Sequence, residues 1–411
     1  MFISGHIFRT GGYSLKKKRR RMTSKKHLVY INDSLGELDW LAPYIVKRAL
    51  ETNDEFHLYF KFPAKSVIWV GHIFERYFTN IENISLVEKS FFEKIIDISE
   101  YFFEQVYNKL GLTKYYKYYE LLSYKLVKKK SFKISYDYLW RDYNLKHSYS
   151  LITRERLSRS IIVFPHSTAI ESNSLDTPKP PSKFVRCDIF LENSKISNRW
   201  TDKYHNQLQA VGSPSLDLFR QSTFTEDPNS ILIITRTCYE KVFGFNYEDS
   251  LAVFEKILRW GESKNYNIYI KHHPRDNNIH MWRNVQKNYA NISEIESTVN
   301  DFSIKPRFVL SFYSSLGVLF SGIGVPVFDI SPYVYRGTDL PFHFNSANGQ
   351  LTHELVTLGI QSQFLDFENT RLYLESSKES LKALGMLQKE NTDKAFPINS
   401  AKSIDRLLEK L

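Results

Sequence analysis

The chain has 411 residues, 42% of them apolar, enough for two or three domains with buried cores and too many for a disordered protein. The formal net charge of +11 suggests a polyanion partner until the charge is located. Residues 1–26 hold nine Lys/Arg and no Asp or Glu, residues 109–159 sum to +9, and everything else sums to −7, so the protein is not uniformly basic.

Residues 1–26 read as a disordered basic arm. The cations of 16–21 run into polar residues, so no signal peptide is expected, and Met22 stands as an alternative start. Residues 27–32 form a short apolar strand, 33–39 a polar loop, 40–51 a helix and 56–60 a second strand. This opening marks a parallel sheet with ligand loops at strand C-termini. Residues 70–130 read as helices, with Phe91, Ile95, Ile98, Phe102 and Val106 at three- and four-residue spacing. A helical basic insertion spans about 70–150. In its Tyr/Lys-rich run 114–133 the aromatics recur at helical spacing, which assigns them to core in preference to nucleic-acid stacking. Residues 160–164 are a buried strand ending in Pro165-His166-Ser167-Thr168, and 185–192 give one more strand. Gly212-Ser-Pro-Ser-Leu-Asp217 reads as a turn-rich bridge.

The second half repeats the logic. Strands at 230–235, 266–271, 307–312 and 325–330 alternate with helices at 249–264 and 315–322. The alternation gives a second α/β domain over 218–385, after a first domain over 27–211. The segment 386–411 ends in an amphipathic helix that is expected to pack back onto the first domain. The uncharged stretch 308–328 mimics a membrane span, but its four serines, three glycines and Pro326 divide it into strand, helix and strand. Cys187 and Cys238 are the two cysteines, without CxxC spacing, which fits a reducing cytoplasmic setting.

Two loops carry the strongest chemical signal. Lys271-His-His-Pro-Arg-Asp276 follows a strand, where His273 and Arg275 can donate to phosphate and Pro274 fixes the turn. Ser311-Phe-Tyr-Ser314-Ser315-Leu-Gly317 joins a strand to a helix start, where hydroxyls and unpaired N–H groups form an anion site. Arg236 follows another strand of that domain and is a third candidate contact. In the first domain His166 follows a strand, where histidine is the side-chain type suited to general-base work near neutral pH. Asp33, Glu37 and Asp39 on the first strand–helix loop are candidate carboxylates. Each has a plainer alternative: an exposed cationic loop, a simple helix cap, a surface arginine, a structural histidine, solvated acids. There is no GxxxxGK[ST], no GxGxxG after the first strand, no GxSxG, no HExxH and no Asp-x-Asp pair, so no catalytic metal and no cofactor is expected.

The order Phe164-Pro165-His166, Val211-Gly212-Ser213-Pro214, Lys271-His-His-Pro-Arg275 and Ser314-Ser315-Leu316 resembles the two-domain GT-B transferases of bacterial surface polysaccharide synthesis. It is similar in particular to sialyltransferases, polysialyltransferases and Kdo transferases, whose His-Pro and Ser-Ser motifs hold the CMP of an activated sugar. It also resembles CDP-glycerol glycerophosphotransferases of teichoic acid synthesis, where a histidine resembling His166 is a proposed base. The chain lacks the acid–acid–glycine triplet of the sialyltransferases, and reads Ser311-Phe-Tyr-Ser-Ser315 where the polyol-phosphate transferases usually carry Asp-Tyr-Ser-Ser. The resemblance implies a GT-B fold with two Rossmann-like domains whose parallel sheets face a central cleft. It implies a metal-independent glycosyltransferase moving a sialic-acid- or Kdo-like sugar from a CMP donor to a capsule-type or lipid-linked glycan. Donor phosphate falls to His273, Arg275, Ser314, Ser315 and Arg236, and base duty to His166, or to Asp33 or Asp39. The other expectations kept open are a CDP-polyol phosphotransferase, a nucleotide-sugar 2-epimerase with its Gly-x-Pro bridge, and a basic nucleic-acid-binding protein. The basic segments suit an anionic membrane surface at the inner face of the plasma membrane.

Overall fold

Apolar runs bounded by polar loops build two parallel sheets. The first contains β1 (Lys26–Ile31), β2 (Glu55–Phe60), β3 (Ile84–Leu86), β4 (Tyr136–Asp142), β5 (Ser158–Phe164), β6 (Ile189–Glu192) and β7 (Leu208–Ala210). Its order is β3-β2-β1-β4-β5-β6-β7, and every neighbouring pair is parallel. Strands covered on both faces have no polar side, which is why Ile161 to Phe164 are four consecutive buried apolar residues. Helix α1 (Leu35–Glu51) crosses from β1 to β2 and buries Leu38, Leu41, Ala42, Ile45 and Ala49 at helical spacing.

The computed structural model describes residues 24–31, 35–61, 77–78, 81–89, 91–111, 116–129, 131–142, 148–168, 170, 186–196, 207–236, 246–273, 276, 278–295, 302–312, 314–334, 345–347, 350–352, 354–364 and 366–411. Residues 1–23 of the expected arm and the loop residue Asp33 lie outside them, as do Pro274 and Arg275. Lys26, expected in the arm, is instead the first residue of β1.

The segment expected to be a helical insertion is not wholly helical. It supplies α2 (Phe91–Lys109) and α3 (Tyr116–Lys128), but also the edge strand β3 and the central strand β4. β4 lies between β1 and β5, and its aromatic residues Tyr138 and Trp140 are buried. Aromatic side chains suit a pleated surface, which outweighs the lack of β-branched residues there. Of the 114–133 aromatics whose side chains are described, Tyr118 is exposed and Tyr124 and Phe132 are half-buried, so none of these three lies in the core expected for them. After β4, α4 (Tyr149–Arg156) is capped by Ser148, whose hydroxyl accepts the Leu151 N–H.

A helix also replaces the expected bridge loop. Ser213 accepts the Leu216 N–H and Pro214 occupies the first turn of α5 (Pro214–Gln221). The second sheet then holds β8 (Thr225–Ile234), β9 (Asn267–Lys271), β10 (Ile292–Glu294), β11 (Ile304–Ser311), β12 (Val327–Asp329) and β13 (Ser362–Gln363). Its order is β10-β9-β8-β11-β12-β13, again parallel throughout. Its helices include α6 (Tyr247–Ser263), α7 (Ile279–Gln286) and α8 (Leu316–Gly322). The uncharged stretch 308–328 resolves into the end of β11, α8 and the start of β12. Among the described residues no helix is long and apolar enough to cross a membrane.

The returning segment divides. Helix α9 (Lys378–Ala395) stays on the second sheet, where Gln388 bonds both the N–H and the carbonyl of Val327 at 2.8 and 3.0 Å. Helix α10 (Ser400–Leu408) packs on the first domain, burying Ile404 and Leu408 in its core. Asp405 accepts bonds from Tyr44 at 3.0 Å and Arg48 at 2.7 Å, and Arg48 also donates to Asp54 at 2.7 Å. Burial alone would raise the Asp54 carboxyl, but bonds from His27, Lys25 and Arg48 hold it well below the carboxylate range.

The outgoing and returning crossings touch. Gly212 has φ +83°, and a Cβ there would lie 2.0 Å from the Pro397 carbonyl oxygen. Gly212→Ala must therefore separate the crossings and adopt a left-handed conformation that L-residues resist. We expect a loss of roughly 2–4 kcal/mol, read as a melting temperature several degrees lower; an unchanged melting curve would contradict the packing described.

Candidate active site

Parallel sheets present ligand loops at strand C-termini, most openly where the strand order reverses. In the first sheet that point lies between β1 and β4. β4 ends at Asp142, and its neighbour β5 ends in Pro165-His166-Ser167-Thr168. The buried Asp142 carboxylate meets His166 Nδ1 at 2.5 Å. The loop behind His166 is fixed on both sides. Asn193, just past β6, donates to the Ser167 carbonyl at 2.7 Å and accepts from Trp40 Nε1 at 2.7 Å. The Thr168 and Ser213 hydroxyls bond at 2.6 Å, joining this loop to the outgoing crossing.

Asp142 is a candidate site residue that sequence reasoning missed. The available signal was an acid ending the aromatic run Tyr136-Asp-Tyr-Leu-Trp-Arg-Asp142, hidden by the helical reading of that segment. Adjacent strand residues face opposite ways. Asp142 turns to His166, while Arg141 lies 3.6 Å from Glu155 on α4 and donates to the Arg186 carbonyl at 3.4 Å. Burial pushes the Glu155 carboxyl up to about 7, against the pull of Arg141.

Of the other first-domain candidates, Asp33 lies outside the described residues. Asp39 sits on α1, where Tyr77 donates to its carboxylate at 3.4 Å and Ser215 donates to its carbonyl. These contacts place it at the seam between α1 and α5.

The second sheet reverses between β8 and β11, and three candidate loops emerge there from the adjacent strands β9, β8 and β11. His273 follows β9, Arg236 follows β8, and Ser314 and Ser315 follow β11. The two adjacent histidines differ. His272 is buried, with Nδ1 3.0 Å from the Thr235 hydroxyl and Nε2 3.6 Å from Glu294. Burial lowers its pKa, outweighing the pull of Glu294, so the ring is neutral near pH 7. His273 is half-buried, and its carbonyl closes a turn by accepting the Asp276 N–H at 3.0 Å. Buried Asp276 anchors that turn, accepting from Tyr247 on α6 at 2.6 Å and from Trp282 on α7 at 2.9 Å.

On the serine loop, the Ser311 hydroxyl accepts the Ser314 N–H at 3.1 Å and the Ser314 hydroxyl accepts the Leu316 N–H at 3.3 Å. Ser315 makes no side-chain cap. The first turn of α8 also faces Gln361, whose amide nitrogen would lie 2.6 Å from a Cβ on Gly317. Gln361 is 2% exposed, and neither end of its amide has a hydrogen-bond partner among the described residues. A buried polar group of this kind is normally satisfied by water or ligand. No sequence pattern pointed to it, because it lies some 45 residues beyond the serines.

No protein-family model matches the chain, and no curated protein sequence matches it. Solved structures do match its fold. The S. aureus MnaA–UDP co-structure aligns with a TM-score of 0.56 at 11% identity, covering 94% of this chain and 98% of that one. The wall teichoic acid polymerase TagF aligns at 0.51 with 12% identity, over 93% and 88%. UDP-GlcNAc 2-epimerase from Neisseria meningitidis, bound to UDP-GlcNAc, aligns at 0.50 with 13% identity, over 94% and 100%. The fold is therefore of the GT-B type, with two Rossmann-like parallel sheets of seven and six strands.

Glu155 gives a pH test of the ground behind the Asp142–His166 pair. A carboxyl raised to about 7 in the fold stabilises it fully below the unfolded value, and that stability is lost as pH rises through 7. Relative to wild type, Glu155→Gln should gain up to about 3 kcal/mol between pH 5 and pH 8. Melting temperatures at several pH values measure this; a pH-independent difference would contradict a buried, titrating Glu155.

Proposed function

We propose that the protein is a nucleotide-dependent transferase that moves a sugar from a cytidine-activated donor to a hydroxyl of a surface glycan. The observation that carries this reading is the Asp142–His166 pair at the reversal point of the first sheet. Asp142 accepts the His166 Nδ1–H, fixes the tautomer and makes Nε2 the proton acceptor. An acceptor hydroxyl held in the cleft loses its proton to Nε2 as it attacks the donor. Asp33 and Asp39 are secondary candidates for this role.

Donor phosphate belongs on the second sheet, with His273, Arg275, Ser314, Ser315 and Arg236 around it and Pro274 shaping the loop. Gln361 is a further candidate contact. These groups stabilise the negative charge that develops on the leaving nucleotide. Closure of the two domains excludes the water that would otherwise hydrolyse the donor. The cytidine preference rests on the resemblance of the His-Pro and Ser-Ser loops. The same loops suit a CDP-polyol donor, which is the second reading; the fold itself is shared alike with TagF and with UDP-GlcNAc 2-epimerases. The acceptor is a capsule-type or lipid-linked glycan at the inner membrane face.

His166→Ala should lower kcat by about 10²- to 10⁴-fold, and Asp142→Asn should reduce it while altering the pH–rate profile. His273→Ala should cost on the order of 10²-fold. Full activity in His166→Ala would remove the base assignment. Nucleotide choice is read by thermal shift with CMP, CDP, UDP and GDP, since a bound ligand raises apparent stability. Cytidine nucleotides should stabilise most, and CMP release from CMP-sugars against CDP-polyols separates the two donors. Selective stabilisation by UDP would instead indicate a 2-epimerase.

A further inference from the structure

Helix α2 is amphipathic in the wrong direction for a helix packed on a core. At about 100° per residue, Phe91, Ile95, Ile98 and Phe102 fall within one narrow stripe. That stripe faces outward: Phe91 is 79% exposed, Ile98 63% and Phe102 64%. By the same spacing the acidic positions Glu93, Asp97, Glu100 and Glu104 fall on the opposite side. Glu100 is 2% exposed and turned into the protein, where its carboxylate accepts the Tyr149 N–H at 2.6 Å and lies 3.9 Å from Lys61. Tyr149 is the first residue of α4, so Glu100 also sits at the positive end of that helix. Glu100 docks, and the stripe of Phe91, Ile95, Ile98 and Phe102 is left for another medium.

Helix α3 repeats the arrangement beside the same α4. It buries Val127 and exposes Tyr118, Leu122 and Leu126. Here cations share the apolar side: Lys125 and Lys129 fall on the stripe of Tyr118 and Leu122, and Lys128 beside it is exposed too. Exposed apolar residues interleaved with lysine are what an interfacial helix presents to a bilayer, with rings and aliphatic chains entering the acyl boundary and ammonium groups meeting anionic headgroups. Single exposed apolar residues are ordinary, but stripes on two neighbouring helices are not.

We propose that the outward faces of α2 and α3 form a docking surface for an anionic lipid bilayer. The apolar stripe of α2 supplies insertion, and the lysines of α3 supply attraction. This inference rests on exposure and charge alone and is independent of the donor reading, so either can fail without the other.

The test is flotation of the full chain with vesicles of phosphatidylcholine, with and without about one third phosphatidylglycerol. Binding should require the anionic lipid and weaken with salt. Neutralising Lys125, Lys128 and Lys129 together to Gln should lower partitioning about 100-fold, at roughly fivefold per cation. Phe91→Ser/Ile98→Ser/Phe102→Ser should abolish binding while melting temperature and circular dichroism stay unchanged, because these side chains are exposed. Should that triple variant fold poorly, Phe102→Ser alone should still weaken binding. A chain with residues 16–21 neutralised separates the arm from the helices and should retain binding. The proposal is overturned if wild type ignores anionic vesicles, or if binding depends on the arm and not on α2 and α3. It is equally overturned if the apolar substitutions convert a dimer to a monomer and leave vesicle binding unchanged, since a second copy would then cover the face.

Discussion

The two passages of the chain between its sheets meet backbone to backbone at Gly212 and Pro397, with no room for a side chain between them. Each passage is tied at both ends. Ser213 caps α5, and its hydroxyl also reaches Thr168 in the loop that carries His166. Ser194, just past β6, donates to the Ala395 carbonyl at 2.5 Å, and Asp217 on α5 accepts the Ser400 N–H at 2.6 Å. The position of the His166 loop and the relation between the domains therefore depend on the same few bonds. Helix α10 completes the arrangement by burying Ile404 and Leu408 in the first core after the chain has finished the second.

Within that frame, strand alternation separates two kinds of buried charge. Asp142 turns to the open edge of the sheet and orients His166, while the adjacent Arg141 turns to the covered side and meets Glu155. The second domain uses the same device with two neighbouring histidines: His272 is buried against Thr235 and Glu294, and His273 stays at the edge. In both places one residue of a pair packs and the other is presented, so the packed partner sets the direction of the presented one. Asp276 plays a similar part for the turn after His273, bonded to Tyr247 and Trp282 on two helices. Glu100 on α2 follows a related logic, turned inward to accept the first N–H of α4.

The legible part of the fold was its alternation. Strands such as β1, β5, β8, β9 and β11, and helices such as α1, α6 and α8, announce themselves through short apolar runs and three-to-four-residue periodicity, because those patterns follow from local geometry. The loops after those strands were legible for the same reason, and that put His166, His273, Arg236 and the serine pair at strand ends. Three things were not legible. β4 was concealed in a Tyr- and Lys-rich segment whose neighbours are helical. Ser213 looked like part of a turn until its bond to the Leu216 N–H made it the cap of α5. The spacing of Phe91, Ile95, Ile98 and Phe102 gave the helix but not the direction of its apolar face.

The sequence by itself therefore determined the α/β class, most strand ends and the residues offered there, since each depends on neighbours within a few positions. Tertiary structure alone decided the partners: Asp142 for His166, Glu155 for Arg141, Gln361 for the first turn of α8, Pro397 for Gly212. Each of those pairs joins residues between 14 and nearly 190 positions apart. A side chain's burial, and with it the pKa of Glu155 and the exposure of α2, depends on which remote segment packs over it, and no local periodicity encodes that.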